Sequence, residues 1–263
     1  MLGKLLKYDF KVIIKRLVIF YSLATIFSIL TRVFFSIENS LVMNIIAQIC
    51  QGAMISMLFS IMVNNIMLMW VRFKSNLYGD ESYLTHTLPV TKNALYLSKI
   101  LCAVITLFVS MIVIVINLFI AYYSEERIEA FKNLIFPIAE NFEVSTGLMI
   151  FLLVAVLFVQ FANILQCGFM GIILGHRMNN AKTGFSVLYG FIVYMVGQAL
   201  IVAITFAVAL FNESFMNLFV TAEIVSVDVL KTALYISIAA YIVILSSGYF
   251  VNQKLFKKGV NVD

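Results

Sequence analysis

Long apolar runs separated by short polar segments dominate the chain. Six of them extend over a span-length stretch, at about 17–37, 43–71, 95–121, 147–174, 185–211 and 231–251. A helix needs roughly 20 apolar residues to cross the hydrocarbon core of a bilayer. The runs lack the alternation over segments of about 10 residues that marks the strands of a transmembrane barrel. The pattern therefore predicts an all-α, polytopic membrane protein with six transmembrane helices, forming a single transmembrane domain over residues 1–263.

The composition agrees with this pattern. Hydrophobic residues make up 63% of the chain and charged residues 12%, whereas a soluble domain carries about 25% charged residues. The six runs and their connections use nearly the whole chain and leave no room for a separate soluble domain. Three cysteines lie in or beside apolar runs, without disulfide or zinc spacing, and are predicted to be small buried hydrophobes: Cys50, Cys102 and Cys167.

The first 16 residues have a different pattern. Apolar residues recur at helical spacing, interrupted by Asp9, and four lysines form one basic face: Lys4, Lys7, Lys11 and Lys15. This predicts an amphipathic helix over residues 1–16 that lies in the membrane interface and is attracted to anionic lipid. A solvated basic tail is the alternative.

The distribution of basic residues predicts the orientation. Most of the 18 Lys and Arg residues fall on one side of the six runs, in segments 1–16, 72–99, 175–184 and 254–258. Basic residues favour the cytoplasmic side. Acidic residues, Glu213 and Glu223 among them, concentrate in the other segments. We therefore expect a multi-pass protein of the plasma membrane with both termini in the cytoplasm.

The loop between the second and third runs, RFKSNLYGDESYLTHTLPVTKNALYLSK (72–99), is the longest on this side and the richest in local signals. Tyr78-Gly79-Asp80 predicts a turn, and Asp80 is a favoured cap for a helix with Glu81 in its first turn. We expect a short helix over 82–88 that ends because proline cannot continue it, with Thr91 capping the third span. Its apolar contact residues and its stop are Tyr83, Leu84, Leu88 and Pro89. An ordinary connector is the alternative.

The block from Tyr78 to Val90 resembles the GDE-x-YLT-x-TLPV segment of permease subunits of ABC-2-type exporters from Gram-positive bacteria. An amphipathic N-terminal helix followed by six spans is also similar to that family. The resemblance implies that the short helix is a coupling helix, formed by Tyr78, Gly79, Asp80, Glu81, Tyr83, Leu84, Leu88 and Pro89. It further implies two copies of a separate ATPase subunit that binds ATP and Mg, a second identical or related permease subunit, and export of a hydrophobic or amphipathic peptide, lipid or drug.

Catalytic and cofactor motifs are missing from the chain. No G-x-x-x-x-G-K-[ST], H-E-x-x-H or G-x-S-x-G occurs, so neither a P-loop nor these two catalytic sites is present. His86 and His176 lack a second ligand at metal spacing. We therefore predict that this chain is not an enzyme, has no catalytic residues, binds no metal or cofactor itself and has no nucleic-acid partner. A membrane scaffold, or an accessory subunit of a sensor or biosynthetic complex, is the alternative to a permease.

The fourth run carries amides on one helical face, at Gln160, Asn163 and Gln166. Amides within a membrane usually face the interior of a helix bundle. They would line a polar substrate path or join neighbouring helices, and the sequence leaves both open.

Overall fold

The computed structural model describes residues 2–37, 40–211, 215–216 and 227–258. Glu213 and Glu223, predicted in an outer segment, lie outside the described residues. Within the described ranges the chain forms eight helices and no strand. They are α1 (Leu2–Phe35), α2 (Leu41–Leu77), α3 (Ser82–Thr87), α4 (Lys92–Tyr122), α5 (Glu125–Asn141), α6 (Thr146–Gly175), α7 (Lys182–Ala209) and α8 (Val227–Lys257).

Six helices are long and apolar enough to cross a membrane, which confirms the predicted all-α fold with six candidate spans. These are α1, α2, α4, α6, α7 and α8, with mean hydropathy between 1.8 and 2.8 over their most apolar windows. Each helix begins before its predicted span, and α2, α4, α6 and α8 also end beyond it, whereas α1 and α7 end two residues short of it. The apolar pattern marks only the part of a helix that is suited to lipid. The helical backbone continues until a capping residue or a turn ends it.

The N-terminal segment is not a separate helix. No glycine or proline interrupts the chain between Lys4 and Phe35, and the predicted helix over 1–16 and the first span form one helix, α1. Its predicted two-sided character is present: the four lysines are exposed, whereas Asp9, Ile13 and Leu17 are buried. At about 1.5 Å per residue, α1 is longer than the ~30 Å hydrocarbon core. Its basic end therefore extends beyond the apolar part of the span.

The chain divides into two compact units. The first contains Met1–Asn76 and Thr87–Phe131, and the second contains Leu77–His86 and Lys132–Asp263. In the first unit α1 packs closely against α4. Ala24, Ala121 and three apolar residues of α2 form a common core there: Met54, Leu58 and Ile61.

In the second unit α6 packs against both α7 and α8. Gly171 and Gly175 permit the close α6–α7 crossing, because a Cβ on Gly171 would lie 2.6 Å from Gly190 Cα and one on Gly175 would lie 2.5 Å from Ser186 Cα. Small residues at helix crossings are typical of membrane bundles, where close backbone approach replaces the hydrophobic driving force.

Candidate functional site

The short helix α3 forms through local hydrogen bonds. Ser82 N donates to Gly79 O (2.8 Å), and Thr85 N donates to Glu81 O (3.0 Å). The predicted helix is thus confirmed, although it ends at Thr87, one residue earlier than expected. Glu81 occupies the position immediately before the helix, and Asp80 lies one residue further out than a capping role requires.

The stop after α3 and the start of α4 follow the predicted signals. Pro89 follows the end of the helix, in a bend that spans residues 88–90. The side chain of Thr91 then accepts a hydrogen bond from Ala94 N (3.3 Å). This confirms Thr91 as the N-cap of the third span.

One side of the segment Leu77–His86 is buried within the second unit. Tyr78 is 1% exposed, and its ring lies 4.4 Å from the ring of His176 at the C-cap of α6. Phe256, in the last turn of α8, lies 6.5 Å from Tyr78 and 6.4 Å from His86. Edge and tilted contacts of this kind are favourable beyond the area that they bury. The segment is therefore anchored to the ends of α6 and α8 by an aromatic cluster of Tyr78, His86, His176 and Phe256.

The opposite side of α3 is exposed. Tyr83 is 65% exposed and Leu84 is 76% exposed, whereas Ser82 and Thr85 are buried. The acidic residues Asp80 and Glu81 are also exposed. We call Asp80, Glu81, Tyr83 and Leu84 the α3 surface. It offers two large apolar groups beside two carboxylates, a combination suited to a partner that has an apolar groove with basic residues at its rim.

The other predicted residues of this segment have different environments. Gly79 supplies the carbonyl that Ser82 N contacts, and Leu88 and Pro89 are exposed after the helix ends. The predicted basic face of α1 is likewise exposed, at Lys4, Lys7, Lys11 and Lys15.

The amides of α6 contact three different neighbours. Gln160 Nε2 donates to the hydroxyl of Tyr194 on α7 (3.1 Å), and Gln166 Nε2 donates to Leu245 O on α8 (2.9 Å). Asn163 is 2% exposed; its Oδ1 accepts from Cys167 Sγ (3.8 Å), and its Nδ2 has no hydrogen-bond partner among the described residues. Two of the three amides thus join α6 to adjacent helices, while a role in a substrate path stays a prediction.

A buried ion cluster in the first unit was not anticipated as a site. Asp9 is 2% exposed, and both of its carboxylate oxygens accept hydrogen bonds of 2.7 Å from Lys99 Nζ. Arg72 Nε donates to the same carboxylate at 3.1 Å. In the sequence, Asp9 stands out only as an interruption of the apolar spacing in the first 16 residues. Arg72 and Lys99 stand out only as basic residues that predict the orientation of the spans. The available signal was its position: Asp9 shares a helical face with Ile13 and Leu17, opposite the lysines.

Buried polar contacts continue along the first unit beyond the ion cluster. Asn65, which is 0% exposed, donates from Nδ2 to Ser110 Oγ (2.7 Å), and Ser110 also contacts the hydroxyl of Tyr21 (2.8 Å). Gln51 Nε2 donates to the hydroxyl of Tyr122 (2.7 Å). The amide of Asn65 is therefore completely enclosed.

In the part of the chain that the structure describes, no group of three or more His, Cys, Asp or Glu side chains is arranged to hold a metal ion. The three cysteines are buried and free, as predicted.

The length and hydropathy of its helices define this chain as a multi-pass, α-helical membrane protein. Comparison with known protein families, with curated proteins and with solved structures gives no significant match.

Proposed function

We propose that this chain is the transmembrane permease subunit of an ATP-driven exporter, and that a separate ATPase subunit docks on the α3 surface. The observation that carries the proposal is the two-sided environment of one short segment. Tyr78 is buried against His176 and Phe256, while Tyr83 and Leu84 project outward two turns or less away.

Such a segment suits the transmission of force. Removing a buried aromatic side chain typically costs about 3–5 kcal/mol, so separating Tyr78 from its cluster carries a comparable penalty. A load applied to the α3 surface therefore moves the ends of α6 and α8 with it, rather than pulling the segment away. Exposed apolar residues on a short helix provide the anchor through which a partner applies that load.

The likeness of residues 78–90 to the ABC-2 exporter segment supports the same function. In this proposal two ATPase subunits hold ATP and Mg, and a second permease subunit completes the path for a hydrophobic or amphipathic peptide, lipid or drug. Because the chain has no P-loop sequence, the energy comes from the partner. The protein lies in the plasma membrane with both termini and α3 in the cytoplasm, as the basic residues favour.

The test is a pair of substitutions on the α3 surface of the full chain. In Leu84→Asp or Glu81→Lys protein, we expect normal membrane insertion but loss of the co-purified ATPase and of transport that depends on ATP. Leu41→Asp is the matched control, because Leu41 is 77% exposed at the start of α2, where a carboxylate is favourable.

Unchanged ATPase recovery and transport in both α3 variants would overturn the docking role. Recovery of the wild-type chain from its native membrane without any P-loop ATPase would instead favour a scaffold or accessory subunit.

A further inference from the structure

The three long helices of the first unit, α1, α2 and α4, are held together in two different ways. Helices α1 and α4 pack closely, with small residues such as Ala24 and Ala121 in their shared core. Helix α2 contacts this pair partly through polar side chains at three positions along its length. Gln51 bonds to Tyr122, Asn65 bonds to Ser110, and Arg72, the one closest in sequence to α3, bonds to a carboxylate.

The last of these contacts is the ion cluster. Arg72 lies on α2 before α3, and Lys99 lies on α4 after α3. One carboxylate, on Asp9 of α1, binds both cations. The two ends of the segment that carries α3 are therefore joined through a single side chain of a third helix.

We infer that Asp9 is a positioning residue that locks α2 to α4, so that both ends of the segment carrying α3 move together. The consequence for transport rests on the proposed function, but the lock itself is a property of this chain alone. Three features of the cluster support it: the burial of Asp9, its short contacts to both cations, and its place where α2 leads into the loop and α4 leaves it.

The charges make the loss of Asp9 more damaging to this lock than the loss of Arg72. With Asp9 in place, each cation is attracted to a common point. Without it, the buried ammonium of Lys99 and the partly buried guanidinium of Arg72 lose the carboxylate that both contact, and like charges in a low dielectric repel each other. Removing Arg72 is milder, because Asp9 and Lys99 remain as a neutral, hydrogen-bonded pair that still joins α1 to α4.

The experiment measures the distance between α2 and α4 in the chain alone, reconstituted in nanodiscs. Spin labels are placed at Val71→Cys and Lys92→Cys, both exposed positions of the first unit, after the native cysteines are replaced by Ala. In Arg72→Gln protein we expect a longer and broader distance distribution than in the parent. Asp9→Asn should give the same change or a larger one.

Two variants make the result interpretable if Asp9→Asn does not fold. Arg72→Lys keeps the cation and should restore the parent distribution, which a general loss of packing would not allow. Arg16→Gln removes a charge of the same type from an exposed position of α1 and should change nothing.

A parent-like distribution in Arg72→Gln protein would overturn the lock. A changed distribution in a chain that never yields an ATPase would retain the lock and overturn the permease assignment. An unchanged distance distribution in a chain that does bind an ATPase would overturn the lock and retain the permease assignment.

Discussion

Substitution of Gly171 by alanine tests the close crossing of α6 and α7. The new Cβ would lie 2.6 Å from Gly190 Cα and in contact with Ser186 O, both of them backbone atoms. Carbon atoms pack optimally at about 3.5–4.0 Å, so the two helices must separate by roughly 1 Å. Overpacking of this kind costs about 1–3 kcal/mol, and rigid backbone neighbours place Gly171→Ala near the upper end.

The higher helix propensity of alanine offsets part of this overpacking cost. Alanine is about 1 kcal/mol more favourable than glycine within a helix. The net expectation for Gly171→Ala is therefore a loss of about 1–2 kcal/mol in the free energy of unfolding. Gly147, on the same helix, has nothing within 4 Å of a built Cβ. Gly147→Ala should thus be neutral or slightly stabilising, and it is the matched control.

Thermal unfolding in detergent provides the assay, followed with a dye that becomes fluorescent when it reacts with thiols. The three cysteines are buried in the folded chain, so they react as the helices separate. Gly171→Ala should unfold at a lower temperature than the parent, and Gly147→Ala should not. Equal unfolding temperatures for the two variants would refute the argument that backbone contact at Gly171 limits the spacing of α6 and α7.

Three further predictions concern other contacts. Tyr78→Ala should lower the free energy of unfolding by about 3–5 kcal/mol, whereas Tyr83→Ala on the exposed side should change it little; equal thermal shifts would contradict the anchoring role of the aromatic cluster. Gln166→Leu should lower stability by roughly 0.6–1.7 kcal/mol, as for other hydrogen bonds between membrane helices, and a neutral result in the same thermal assay would remove its packing role. Binding of anionic lipid, measured by native mass spectrometry from mixed nanodiscs, should weaken by about 1 kcal/mol for each lysine lost when Gln replaces Lys4, Lys7, Lys11 and Lys15.

The features that the sequence could predict are those with local causes. Span-length apolar runs determine six helices, since lipid requires every backbone group to be bonded within its own segment. Thr91 caps α4 because its side chain reaches a backbone N–H three residues ahead. The bend after α3 follows from Pro89 in the same way. Each of these signals acts over a few residues and is therefore visible in the chain itself.

The ion cluster could not be predicted because its partners are distant in sequence. Asp9 pairs with residues 63 and 90 positions away, and the same basic residues satisfy a simpler explanation as topology signals. The burial of Asn65 was hidden for a similar reason, since its partners lie on α4. The sequence pattern places a polar residue on one face of a helix, but the packing of three helices determines which residues that face contacts.

The candidate site was predicted in part. The existence of α3 and its apolar residues followed from the turn and the proline. The sequence did not predict which face of α3 is buried. That depends on His176 and Phe256, which lie on α6 and α8 far along the chain. The sequence would have allowed Tyr83 and Leu84 to be the anchor, whereas the structure uses Tyr78.

The central claim is that the α3 surface contacts an ATPase. Its most direct test places a photo-activated cross-linking amino acid at position 84 of the full chain in its native membrane, with the same group at position 41 as the control. The account predicts that the product at position 84 contains a P-loop ATPase and that the product at position 41 does not. Cross-linking at position 84 that yields no P-loop ATPase would contradict it.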